Sequence, residues 1–206
     1  TARLTEQYLL KEKIYYRFSQ MLNNSGQKIM KHKVLSICIL AVLLAGCKED
    51  FSVWKKYNED WLENVNKPYI ESLRDAPVKE GYISAGITES GIQYIIRHEG
   101  FGKTAKLSSL VTVTYVNHLI NGTTVGTVSK KTSIEVKKFS AGWQEMLCDR
   151  GLKEGANFTI YIPWHLAFGK AGQKQAGISK YFIPPYSVIR CDMIVHEIRN
   201  FPPDAK

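Results

Sequence analysis

The sequence predicts an α+β fold, a curled antiparallel sheet around one short helix with a further helix ahead of it. Three observations carry this. Apolar and polar residues alternate with the period of two of a half-buried strand over Val111 to Leu119, Asn157 to Pro163 and Val188 to Ile198. One stretch within that region reads as a helix, Ala141 to about Arg150, with Gly151 placed to close it. Asn121-Gly122 separates Leu119 from Val125, and Asn-Gly tolerates the positive φ angles of a tight type I′ hairpin turn.

At 206 residues, 44% of them apolar, the chain has the size and composition of one globular core plus appendages. The formal charge is +9, but residues 1–46 hold 7 Lys+Arg against 2 Asp+Glu, which leaves only +4 on the remainder. With no Arg-rich cluster interleaved with aromatics, that surplus points away from nucleic acid as a partner.

The N-terminal region has its own order. Met30-Lys31-His32-Lys33 is basic, Val34 to Leu44 is an apolar run of 11 residues, and Leu44-Ala45-Gly46-Cys47 follows. The run is far short of the ~20 residues that a membrane-spanning helix needs. The arrangement resembles a bacterial lipoprotein signal over residues 30–46, which implies lipidation at the Cys47 thiol and an envelope location. Lys48-Glu49-Asp50 is similar to the export tag of surface lipoproteins of Bacteroidota. On this reading Met30 is the start, with Met21 as the alternative, and residues 1–29 are an upstream extension outside the native product.

Residues 47–87 form the leader into the domain. Trp54, Tyr57, Trp61 and Val65 recur at spacings of three and four, which predicts a helix over Phe51 to Asn66 with an aromatic stripe. Pro68 is expected to stop or bend it. Two readings of the stripe stand: packing on the domain's own surface, on which a helix of about four turns ordinarily depends, or a partner face. Lys67 to Gly86 mixes Pro, Gly and charge without a period and reads as a connector.

The domain proper is expected over 88–201, with a short tail at 202–206. Ser90 to Ile96 reads as its first strand. Lys170 to Phe182, with glycines at 172 and 177 and three lysines, reads as a loop, either a tolerated insertion or a determinant of partner choice. Cys148 and Cys191 sit in apolar contexts, where free cysteine acts as a small hydrophobe; an envelope location would also permit a disulfide between them.

Three words in fixed order run through this region: Ala141-Gly142-Trp143, then Ile162-Pro163-Trp164-His165-Leu166-Ala167-Phe168-Gly169, then Ile183-Pro184-Pro185. From Thr88 to Phe201 the chain resembles the FKBP-type peptidyl-prolyl isomerases, and this implies their fold and a pocket for a prolyl ring. The resemblance makes Trp143 the floor and the Leu166-Ala167-Phe168-Gly169 segment a wall, and it places Ile183 below the closing loop. Tyr115 falls on the family's pocket tyrosine, while Val125, Ile134, Phe139, Phe182 and Cys191 fall on other lining positions. The departures concern polar groups. Val125-Gly126 stands where the family carries Phe-Asp, Phe168 replaces a tyrosine, and Cys191 replaces a phenylalanine.

The five histidines show no His-Glu-x-x-His pattern and no Cys-x-x-Cys pair exists, so no metal and no other cofactor is expected; Gly-x-Ser-x-Gly elbows and phosphate loops are also missing. His165 reads as an exposed residue of the wall. Rotation about an X-Pro amide needs neither nucleophile nor metal, only a site that removes the ring from water and favours the twisted amide. Two classes of function follow from the resemblance. One is a lipid-anchored prolyl isomerase, weakened by its polar losses, that helps envelope proteins fold. The other is a binding module on the same scaffold that holds proline-containing peptides or proteins without useful turnover.

Overall fold

The computed structural model describes residues 50–74, 81, 83–174 and 181–201. Residues 1–49, with the signal-like segment and Cys47, the middle of the 170–182 loop and the tail lie outside them.

Six strands pair in antiparallel order β1-β2-β5-β8-β3-β4: β1 Ser84–Ile87, β2 Gln93–His98, β3 Leu110–Leu119, β4 Thr124–Glu135, β5 Asn157–Ile162 and β8 Ile189–Arg199. The two remaining strands, β6 Gln173–Lys174 and β7 Tyr181–Ile183, form a separate two-stranded ribbon. The period-two pattern divides the sheet's faces. Ile92, Ile96, Phe158, Ile160 and Ile162 enter the main core with Trp143, Met146 and Leu147 of the helix, whereas Ile95 and Tyr161 face the opposite side.

That opposite side is covered by the N-terminal helical segment, which runs as α1 Ser52–Trp61, a π turn Leu62–Asn66 and α2 Lys67–Arg74. Leu62, Ile70 and Leu73 bury a second, smaller cluster with Ala85, Ile95, Tyr161 and Val188. The expected single core is thus two layers. The expected aromatic stripe is also divided: Trp54 and Trp61 pack inward, while Tyr57 and Val65 are exposed. The inward face instead carries two buried asparagines. Asn58 accepts from the Val188 N–H at 2.8 Å and donates to the Trp54 carbonyl, and Asn66 donates to Gln93 Oε1 at 2.7 Å. Gln93 in turn donates to the Leu62 carbonyl.

Pro68 neither stops the helix nor needs a kink. The wide turn before it, with the Lys67 N–H bonded five residues back to the Leu62 carbonyl, accommodates a residue that has no N–H to give and whose ring crowds the previous turn. The β6–β7 ribbon falls in the expected 170–182 loop, and two strands of the main sheet also escaped the sequence reading. β1 lies in the expected connector because Ser-Ala-Gly-Ile is too short to show a period. β4 runs on to Glu135 as an edge strand, and its exposed polar stretch with Lys130 and Lys131 resembles loop composition because such an edge must resist further pairing.

The hairpin forms at the expected place with a different turn. Gly122 alone has positive φ, 85°; the Gly122 N–H bonds the Leu119 carbonyl and the Leu119 N–H bonds the Thr123 carbonyl. This is a type I turn followed by a left-handed glycine, so Asn121 keeps ordinary φ and its side chain accepts from the Thr123 N–H.

The core helix begins as α3 Ala141–Gln144, widens to a π turn over Glu145–Asp149 and ends at Gly151, φ 71°. Its first turn lies against β5 with no space to spare: a Cβ at Gly142 would stand 2.4 Å from Ile162 Cγ2. Gly142→Ala is therefore expected to destabilise the fold by about 1–3 kcal/mol through overpacking, read as a fall in thermal midpoint. Combined with Ile162→Ala, which is costly by itself, the total should be less than the sum of the two single losses, and strict additivity would argue against this contact as the cause.

Candidate functional site

The start of α3, the end of β5 and the middle of β3 converge on one apolar receptacle. Because Gly142 has no side chain, the helix approaches β5 closely and Trp143 lies 4% exposed against the core. After β5, Pro163 leads into a 3-10 turn, Trp164–Leu166, and the chain returns over the indole. Phe168 meets Trp143 edge to face, centroids 6.1 Å apart. Ser140 Oγ donates to the Leu166 carbonyl at 2.7 Å and ties this wall to the helix start. Across the receptacle Tyr115 and Phe139 form a second edge-to-face pair at 6.3 Å.

Tyr115, Val125, Ile134, Phe139, Trp143, Phe168, Ile183 and Cys191 all belong to or pack against the same cluster. Phe182 does not join them. On β7 its neighbour Ile183 points inward, so Phe182, one residue away on an alternating strand, is turned outward and 45% exposed. Leu166 and Ala167 pack against this cluster as well. One polar residue beside this cluster is absent from the lining positions expected from sequence: Asn117 occupies the core face of β3, in phase with Val111, Val113 and Tyr115.

The rim is held from behind by α1. Tyr186, after Ile183-Pro184-Pro185, takes φ 61° and bonds its N–H to the Gly169 carbonyl at 3.0 Å, which joins rim to wall. Ser187 Oγ donates to the Pro184 carbonyl and accepts from the Trp54 indole N–H at 3.0 Å. Glu59 accepts from the Trp164 indole N–H at 3.0 Å, and Lys55 lies over the rings of Trp164 and Tyr186 at 5.8 and 5.6 Å. His165 is exposed, its ring against Trp164. Gly172 is required where the ribbon crosses the rim, since a Cβ there would meet the Ile183 carbonyl oxygen at 2.4 Å.

Of the nine lining positions predicted from sequence, none carries a formal charge. Burial pushes the Cys191 thiol up to about 12, against a smaller opposing effect of the Trp143 indole N–H, which has no hydrogen-bond partner of ordinary geometry. Burial likewise raises the Tyr115 hydroxyl. Cys148 and Cys191 are both free thiols. Among the described residues no group of three His, Cys, Asp or Glu side chains is placed to hold a metal, and no helix is long and apolar enough to cross a membrane. The arrangement can desolvate an apolar ring and present one phenol; it contains no nucleophile poised by a base.

The thiol has a consequence for alkaline stability. The folded chain keeps Cys191 protonated while the unfolded chain ionises near 9, so the unfolded state binds fewer protons between about 9 and 12 and stability falls with pH across that window. Below it the group contributes no slope. Thermal midpoints measured from pH 7 to 11 should decline less steeply in Cys191→Val than in the parent, and parallel curves would contradict the assignment.

Residues 102–190 match the FKBP-type peptidyl-prolyl cis-trans isomerase family. The peptidyl-prolyl cis-trans isomerase Mip of Coxiella burnetii is 33% identical over 112 residues, 53% of this chain and 41% of that protein. The FKBP-type 22 kDa peptidyl-prolyl cis-trans isomerase of Escherichia coli K12 is 32% identical over 132 residues, 63% of this chain and 59% of that protein. The chain thus spans about half the length of these curated relatives. A solved peptidyl-prolyl cis-trans isomerase from Pseudomonas syringae pv. tomato shares the fold with a TM-score of 0.56 at 19% identity, covering 75% of this chain and all of the other. The ordered words from Ala141 to Pro185 and the aromatic pairs around Trp143 and Tyr115 lie within this matched segment, and over it the chain is similar to the FKBP-type peptidyl-prolyl cis-trans isomerases.

Proposed function

We propose that this protein is a lipid-anchored FKBP-type peptidyl-prolyl cis-trans isomerase that helps proteins of the cell envelope fold, with turnover below that of a family member bearing the full polar set. The observation that carries the reading is the convergence of Trp143, Phe168, Tyr115, Phe139 and Ile183 on one receptacle. Such a site serves amide rotation. The barrier of about 18–20 kcal/mol arises from conjugation of nitrogen with the carbonyl, and it falls when the amide leaves water and its twisted form is favoured.

The weakness of turnover follows from Gly126 and Phe168, which remove a carboxylate and a hydroxyl that the family resemblance places there. Each lost hydrogen bond is worth about 0.5–1.5 kcal/mol, more if charged, which together reaches tens of fold in rate. The same two losses support a second reading, a binding module that holds prolyl peptides with no useful turnover. The positions accept restoration. A Cβ at Gly126 would lie 3.5 Å from Asn117 Nδ2, an ordinary contact, and Phe168→Tyr adds only an oxygen.

A protease-free prolyl-peptide isomerisation assay distinguishes the readings. We expect low but measurable turnover in the parent, an increase of about tenfold or more in Gly126→Asp with Phe168→Tyr, and loss of peptide binding in Trp143→Ala, with circular dichroism confirming that the variant is folded. Binding without turnover, unchanged in the restored variant, would favour the module; family-level turnover in the parent would refute the importance of the polar losses.

Anchoring rests on the order of basic run, apolar run and Leu44-Ala45-Gly46-Cys47. It assigns the mature protein, starting at Cys47, to the outer membrane of a Gram-negative bacterium, on its periplasmic or surface face. Expressed from Met30, the parent should incorporate labelled fatty acid and partition with membranes, and Cys47→Ser should do neither. Equal labelling of both would exclude Cys47 as the acceptor.

A further inference from the structure

Besides the Trp143 indole N–H, a second buried polar atom beside the apolar cluster has no hydrogen-bond partner among the described residues. Asn117 is 8% exposed, and its Oδ1 is buried without a hydrogen bond among the described residues. Native proteins rarely leave a buried amide oxygen unpaired, because the lost hydration is not returned. The position does not need an amide for the fold. Its neighbours on the core face of β3 are Val111, Val113 and Leu119, the strand ladder uses only its backbone, and its Oδ1 does not hold the register shift between Asn117 and His118.

The place of this side chain suggests its use. In the sheet register Asn117 stands opposite Gly126 on β4 and opposite Cys191 on β8. These are two positions at which the chain carries less bulk than the family pattern, and one of them is where the carboxylate is missing. The amide lies toward the first of them, since a Cβ at Gly126 would meet Nδ2 at 3.5 Å. A carboxamide offers one acceptor and two donors and no charge, the complement of a peptide group.

We propose that Asn117 is a ligand-contacting, specificity-determining residue of the receptacle, its amide supplying from β3 the polar contact to a proline-containing peptide that Gly126 on β4 no longer supplies. The inference rests on the prolyl-peptide reading of the site. It also carries a specificity: a neutral amide does not repel an acidic residue beside the proline, as a carboxylate at Gly126 would.

The test uses the full chain and the tetrapeptides Ala-Leu-Pro-Phe and Ala-Glu-Pro-Phe. Asn117→Leu, of nearly the same shape, should raise KM or Kd for both about tenfold, equivalent to 1.4 kcal/mol, while the thermal midpoint stays level or rises because an unpaired polar atom has been removed. In the parent the two peptides should bind within about twofold, and in Gly126→Asp the glutamyl peptide should be disfavoured. With asparagine side chains labelled with nitrogen-15, the NH2 pair missing from the Asn117→Leu spectrum should move on saturation with peptide. Unchanged affinity in a folded Asn117→Leu, or an unmoved NH2 pair in a saturated parent, overturns the inference and leaves the prolyl-peptide reading intact. If Asn117→Leu does not fold, Asn117→Thr identifies the NH2 pair in its place, and the response of that pair in the parent decides. If the parent binds and turns over neither peptide, the reading of the site fails and the inference falls with it.

Discussion

The contact of a bare backbone with a branched side chain, Gly142 against Ile162, is the constraint on which the binding end of the molecule depends. It lets the first turn of α3 lie directly on β5 and so brings Trp143 to the surface from which the wall segment departs. The wall leaves from that same strand: Pro163 and the turn Trp164–Leu166 follow Ile162 at once, and Ser140 at the helix start holds the Leu166 carbonyl. Floor and wall are therefore positioned by one close approach. The edge-to-face meeting of Trp143 and Phe168 follows from it.

The rim is organised differently, by polar groups from the opposite side of the sheet. Asn58 and Trp54 of α1 satisfy the Val188 N–H and the Ser187 hydroxyl, directly after Ile183-Pro184-Pro185, and Glu59 reaches the Trp164 indole. A segment read as a leader thus braces the residues that close the receptacle. Two proline residues and a left-handed Tyr186 already restrict that stretch, so few contacts suffice to hold it in one conformation.

The chemistry of the receptacle follows from what it lacks. With Gly126, Phe168 and Cys191 at positions where the family pattern is bulkier or more polar, it offers an apolar shape, and the Tyr115 hydroxyl, the Trp143 N–H and the amide of Asn117 are among the polar side-chain groups near its walls. Two of these, the indole N–H and the amide oxygen, are buried with no hydrogen-bond partner of ordinary geometry among the described residues. On the proposed reading of the site, such an arrangement favours uncharged ligands whose own peptide groups complete its hydrogen bonds.

The α+β class, the main strands, the short helix and its glycine end were legible in the sequence, because period two, period 3.6 and glycine punctuation are local properties of the chain. So was the clustering of Trp143, Phe168 and Ile183, which sit within the ordered words, and of Tyr115, which the family resemblance placed beside them. The tertiary structure alone decided the rest. Phe182 was turned out by strand alternation at a register that only pairing with β6 sets. Asn58 and Asn66 were drawn inward by backbone and side-chain partners 27 to 130 residues away, against their polarity. Asn117 faces the core because β3 keeps its phase between β4 and β8, whatever its side chain prefers. Local pattern reports the average preference of a segment for burial. Which polar atom goes inside is settled by the partner that arrives from elsewhere in the chain, and no window of sequence contains it.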